Sequence, residues 1–109
     1  MGRRIRKERS AREDADEAID HLVDAASLDD ALRFADELER AFELLAEHPA
    51  MGRACVLQAL QLQNLRKWPL RTFPYLVYYR FTEDELIVHR IVHGAREQAD
   101  ALGDEPDED

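Results

Sequence analysis

Apolar residues return at spacings of three and four through two successive stretches of this chain, and the period shortens to two only after residue 65. In the first stretch Ala15, Ala18, Ile19, Leu22, Val23 and Ala26 form the stripe of an amphipathic helix. Ser10, with Glu13 three residues on, predicts a capping box at its start. Ser27 interrupts the pattern. Asp29 and Asp30 then suit the first turn of a second helix, where carboxylates meet the positive end of the dipole. Leu28, Ala31, Leu32, Ala35, Leu38, Ala41, Phe42, Leu45 and Ala46 keep one face of that helix apolar. Pro49 ends it, with His48 as the last residue, because the residue before proline is pushed out of the helical region. Helices joined by so short a link form an antiparallel hairpin.

The remainder reads as strand and loop. Residues 3–8 predict a short edge strand, and residues 49–64 an irregular or weakly helical stretch with Gly52 at a turn. Residues 65–70 alternate, but Pro69 confines that strand to an edge or a bulge. Tyr75 to Phe81 and Leu86 to Val92 are rich in aromatic and β-branched residues, and Thr82–Glu85 between them makes a hairpin loop. The expected fold class is α+β: two N-terminal helices forming a hairpin, packed on a small antiparallel sheet. One domain is expected over residues 1–102, followed by an acidic, disordered tail over residues 103–109.

Composition narrows the classes. With 109 residues there is room for one modest core. No apolar run reaches the roughly 20 residues that span a bilayer, and no apolar segment follows the basic N-terminus, which points to the cytoplasm. The lone Cys55 makes no internal disulfide, and no cofactor or metal is called for. The net charge of −9 is unevenly spread. Residues 13–47 carry thirteen acids against Arg33 and Arg40, whereas residues 48–96 carry seven bases against Glu83, Asp84 and Glu85. This balance disfavours wrapping by nucleic acid, so no direct DNA binding is expected, yet it leaves the β half basic.

Three segments resemble the ParE/RelE toxin superfamily. Leu44-Leu45-Ala46-Glu47-His48-Pro49-Ala50-Met51-Gly52-Arg53 is similar to that family's L-A-x-x-P-x-x-G junction. Tyr75-Leu76-Val77-Tyr78-Tyr79-Arg80 is similar to its penultimate strand, and Ile87-Val88-His89-Arg90-Ile91-Val92-His93-Gly94-Ala95-Arg96 to its last. The resemblance covers roughly residues 3–102 and implies the toxin of a type II toxin–antitoxin pair, the class associated with plasmid stabilisation. It implies a cognate ParD-like antitoxin, assembled with it as a heterotetramer or larger. Within the superfamily, RelE-like members cut mRNA on the ribosome, and ParE-like members act on DNA gyrase without cutting. Leu76 and Leu102 stand where a nuclease carries an arginine and a tyrosine, which favours the ParE-like branch. The alternatives are a ribosome-dependent endonuclease using Lys67, Arg80, His93 and Arg96, and a non-toxic, antitoxin-binding remnant.

Individual residues carry two readings each. Arg66, Lys67, Arg71, Arg80, Arg90 and Arg96 form either a solvated face or a landing site for an acidic antitoxin segment or for the target. Trp68 is either core or an interface anchor. Tyr78, with Leu76 and Arg80 on one strand face, belongs either to the core or to a binding surface, as do Tyr75, Val77, Tyr79 and Phe81 on the other. His93 and Arg96 either close the last strand or take part in chemistry. His89 and His93, four apart on a strand, are expected on one face about 13 Å apart, too far to share a metal.

Overall fold

The computed structural model describes residues 2–56 and 62–95. Arg96 and the acidic tail over residues 103–109 lie outside the described residues, as does the C-terminal part of the expected domain. Strand β1 (Arg4–Lys7) leads directly into helix α1 (Arg9–Ala25), and α2 (Leu28–Glu47) returns beside it. A single 3-10 turn (Pro49–Met51) then precedes β2 (Arg53–Ala54), β3 (Arg66–Pro69), β4 (Tyr75–Phe81) and β5 (Glu85–His93). The five strands are ordered β1-β5-β4-β3-β2. The α+β architecture of a helical hairpin on a sheet is therefore as the periodicity predicts. Strands β2 to β5 pair antiparallel, but β1 pairs parallel with β5, so the sheet is mixed rather than purely antiparallel. The cause is topological: the hairpin carries the chain out and back, and the last strand then runs beside β1 in the same direction.

The local signals divide into those that hold and those that do not. Ser27 caps α2, its hydroxyl accepting from the Asp30 N–H at 3.0 Å, with Asp29 and Asp30 in the first turn. Helix α2 ends at Glu47 with His48 as its cap. The expected capping box at Ser10 does not form. The Glu8 N–H is already bonded to the Val88 carbonyl, so the chain enters α1 from Glu8 with no side-chain cap, and Glu13 pairs instead with Arg9. The buried arc of α2 also sits to one side of the expected stripe. Phe34 is fully buried at its centre, whereas Leu28 and Leu32 are about 60% exposed at its flank. Within residues 49–64, expected irregular or weakly helical, the described part contributes the 3-10 turn and the two-residue β2, and residues 57–61 lie outside the described residues.

The main core lies between helices and sheet: Ala11 and Ala18 of α1 and Phe34, Leu38, Phe42 and Leu45 of α2 meet Tyr75, Val77, Tyr79, Leu86, Val88 and Ile91. A smaller cluster of Leu65, Tyr78 and Val92, with Cys55, Leu62 and Leu76 against it, occupies the opposite, outer face. Both faces of β4 are thus core, and neither presents an aromatic platform. Between Tyr78 and Tyr79 the register slips: Tyr78 pairs with Arg90 and Tyr79 with Val88, leaving His89 as the extra residue of a bulge. The bulge reverses the alternation along β5. His89 meets Arg80 on the outer face, and His93 packs on Tyr75 on the helix side, so the two histidines do not share a face.

Candidate functional site

The outer face and the helix side use the cations of the β half differently. Lys67 and Tyr78 are paired across the outer face, with Arg53 and Arg90 in line with them. Tyr78 is 1% exposed, so its ring is packing rather than contact surface. Arg80 donates through Nε to His89 Nε2 at 3.1 Å, and burial, followed by the Arg80 charge, holds the His89 pKa below its usual range. A neutral imidazole is the form able to accept that bond.

Arg90, two residues past the last β5 residue that β1 covers, bonds to α1. Its Nε and Nη2 donate to the two carboxylate oxygens of Asp14 at 2.7 and 3.1 Å, and Asp14 also accepts the Ile91 N–H at 2.9 Å. This bidentate clamp seats α1 on β5 beyond the point where β1 stops. Arg66 is likewise committed, donating to the Gly52 carbonyl at 2.6 Å on the helix side. Beside it the Tyr79 hydroxyl accepts from the Gly52 N–H and donates to the Pro49 carbonyl, which fixes the 3-10 turn under α2. Burial raises the Tyr79 pKa, against an opposing pull from the Gly52 N–H and the Arg66 charge.

Trp68 and Arg71 belong to a third place. Between α2 and β3 lies a groove of about 610 Å³. Half-buried Trp68 packs against the main core and also lines this groove, together with Ala41, Leu44, Met51 and Leu70. Leu44 and Met51 remain 38% and 46% exposed. Arg40, Arg71 and Glu37 also line the groove. The Glu37 carboxylate accepts the backbone N–H groups of Arg71 and Thr72 at 2.5 and 3.0 Å, which ties the β3–β4 loop to the helix. Trp68 and Arg71 were legible as contact candidates. Arg40, Leu44 and Met51 were not, since Arg40 stood among acids on a solvated helix face, Leu44 lay off the apolar stripe, and Met51 fell in a stretch expected to be irregular or weakly helical.

The groups a nuclease would need do not converge. Lys67 and Arg80 are on the outer face, whereas His93 faces the opposite way into a small crevice with Asp14, Glu17 and His21. Arg96 lies outside the described residues. Among the described residues no group of three His, Cys, Asp or Glu side chains is placed to hold a metal, and no helix is long and apolar enough to cross a membrane.

Comparison with known proteins bears on the family and the fold. Residues 5–98 match the family model described as the ParE toxin of the type II toxin–antitoxin system parDE. No curated relative matches the chain. Among solved structures, the chain is similar to one described as the chromosomal ParDE TA system from P. aeruginosa, with a TM-score of 0.68 and 20% identity. The match covers 84% of this chain and 95% of that one, and at this identity it shows a shared fold.

Proposed function

Because the chain belongs to the ParE toxin family of type II toxin–antitoxin systems, we propose that it is a toxin that acts by binding and not by cutting RNA. Its target is DNA gyrase, the family-level expectation, and a cognate ParD-like antitoxin neutralises it in the cytoplasm within a heterotetramer or larger assembly. The observation that carries the non-nucleolytic reading is the split of the candidate groups across the sheet. Cleavage at a 2′-hydroxyl needs a base, an acid and a cation within hydrogen-bond reach of one phosphate. Here Lys67 and Arg80 are separated from His93 by the thickness of the sheet, and Tyr78 is buried. A binder needs only a stable fold and an exposed, chemically distinct surface.

The reading is tested with purified chain in a gyrase supercoiling assay, alongside primer extension on mRNA from cells expressing it. Inhibition of supercoiling with intact transcripts is the expected result. Codon-linked cuts in translated messages would overturn it in favour of the nuclease.

A further inference from the structure

The tip of the helical hairpin carries features that the fold itself does not use. Ile19 and Leu22 of the α1 stripe pack against the main core, but Val23, one residue on, is 42% exposed. Across the Ala26–Ser27 link, Leu28 and Leu32 are 62% and 58% exposed. Spaced four apart, these two leucines share one face of α2 and stand one above the other. None of the three belongs to either hydrophobic cluster. One exposed leucine on a surface needs no explanation. Two stacked at the end of a hairpin that also exposes a valine are the mark of a docking surface.

Stability explains the charge at the tip no better. From residue 20 to residue 36 five aspartates, Asp20, Asp24, Asp29, Asp30 and Asp36, stand against a single base, Arg33. That guanidinium is already paired with Asp30. Asp29 and Asp30 favour the start of α2. Asp24 does the reverse: it lies in the last turn of α1, where the negative end of the dipole repels a carboxylate and no basic residue is present. Asp36 follows Leu32 by one turn, so the leucine pair runs on into an exposed carboxylate.

A second copy of the same tip would bring these aspartates against their own kind, which disfavours a symmetric dimer. What complements an apolar tip flanked by carboxylates is a protein surface rich in Lys and Arg that also offers an apolar depression. An enzyme that grips duplex DNA must display such cations, because affinity for polyphosphate comes from them. We therefore propose that the hairpin tip is where this chain docks on its target, with Leu28 and Leu32 entering an apolar depression in the cationic surface of gyrase. The proposal rests on the reading of the chain as a gyrase-binding toxin and adds to it the part of the chain that makes the contact. The dock lies at the opposite end of α2 from the α2–β3 groove, since Leu32 and Leu44 are about 18 Å apart along the helix axis.

Purified gyrase holoenzyme is passed over the immobilised full chain, and Kd and the rate constants are read by surface plasmon resonance. Leu28→Ser combined with Leu32→Ser should raise Kd at least about 30-fold, and the concentration that half-inhibits supercoiling with it. The circular dichroism spectrum and melting temperature should stay as in wild type, because both side chains are already in solvent. Leu44→Ser, the same change near the other end of α2, should leave Kd within about threefold. Asp24→Asn combined with Asp36→Asn should slow association about tenfold with little change in dissociation, and the salt dependence of binding should flatten. Gyrase binding with Kd unmoved by the leucine pair, or moved equally by a folded Leu44→Ser, would overturn the tip assignment and leave the toxin reading standing. Absence of gyrase binding and inhibition by the wild-type chain would remove that reading and the proposal with it. A dimer in sedimentation that the leucine pair abolishes would give the tip to a second copy and overturn the proposal.

Discussion

Helix α1 and helix α2 both lie on the same sheet, yet one seam is closed and the other is open. Along β5, α1 is locked by a carboxylate that is only 10% exposed and takes three hydrogen bonds, two from Arg90 and one from the strand backbone. Along β3, α2 is held by Glu37 at one end and by the Tyr79–Gly52 contact at the other, and the stretch between them is the groove. Both seams use an acid on a helix to bind main-chain N–H groups of the sheet side. They differ in what happens to the arginine beside that acid. Arg90 completes the Asp14 site and is neutralised, whereas Arg71 gives Glu37 its backbone and keeps its side-chain charge available. A surface arginine in the sequence can thus end as mortar or as an open cation, and only the third dimension decides which.

Four substitutions or conditions probe this contrast. Asp14→Ala leaves Arg90 and the Ile91 N–H without their acceptor, and breaking such a largely buried pair costs about 3 kcal/mol. Urea denaturation should show that loss, and a midpoint within error of wild type would mean that the seam is not held by the clamp. Gly52→Ala is next. A Cβ there would come within 2.7 Å of Tyr79 Cε1 and closer still to its hydroxyl, so the 3-10 turn must shift. Overpacking of this kind costs about 2 kcal/mol, and calorimetry should find the melting temperature lowered. At the open seam, by contrast, Arg71→Ala removes an exposed side chain without partners among the described residues. Stability should stay within about 0.5 kcal/mol, and a larger fall in chemical denaturation would show that this arginine is structural after all.

The smallest expected effect is on pH dependence. The His89 pKa is lowered in the fold, so the unfolded chain binds its proton more readily. Stability should therefore be fully present above the ordinary value of 6.5 and decline as pH falls below it toward the depressed folded value. His89→Gln keeps an acceptor for Arg80 and removes the titration. Melting curves taken on either side of that value should converge for the variant, and an undiminished slope would assign the acid sensitivity to another group.

Much of the layout was legible because it rests on local chemistry. The β-branched and aromatic runs in β4 and β5, the Ser27 cap and the Pro49 stop each announce themselves within a few residues. The direction of β1 was not legible, since it depends on where a strand some eighty residues later comes to rest. The bulge at His89 was hidden for a similar reason: one extra residue on β5 is invisible without its partner strand, yet it sends His89 and His93 to opposite faces. Strand β2 is too short to show a period. The groove was half legible, through Trp68 and Arg71, whereas Arg40 reads as one cation on a solvated acidic face until α2 is laid beside β3.

The parallel pairing of β1 with β5 has a consequence for synthesis. Arg4 faces Glu85, so on the ribosome β1 waits for a strand made some eighty residues later. At translation rates of about 5–20 residues per second, that delay is on the order of 4–16 s. During it the edge of β1 has no ladder, and Asp14 has no Arg90 to clamp. A chain interrupted before β5 thus lacks both the strand that pairs with β1 and the cation that seats α1. Fragments ending before β5 are therefore expected to be less stable than the full chain, and limited proteolysis of the two checks it.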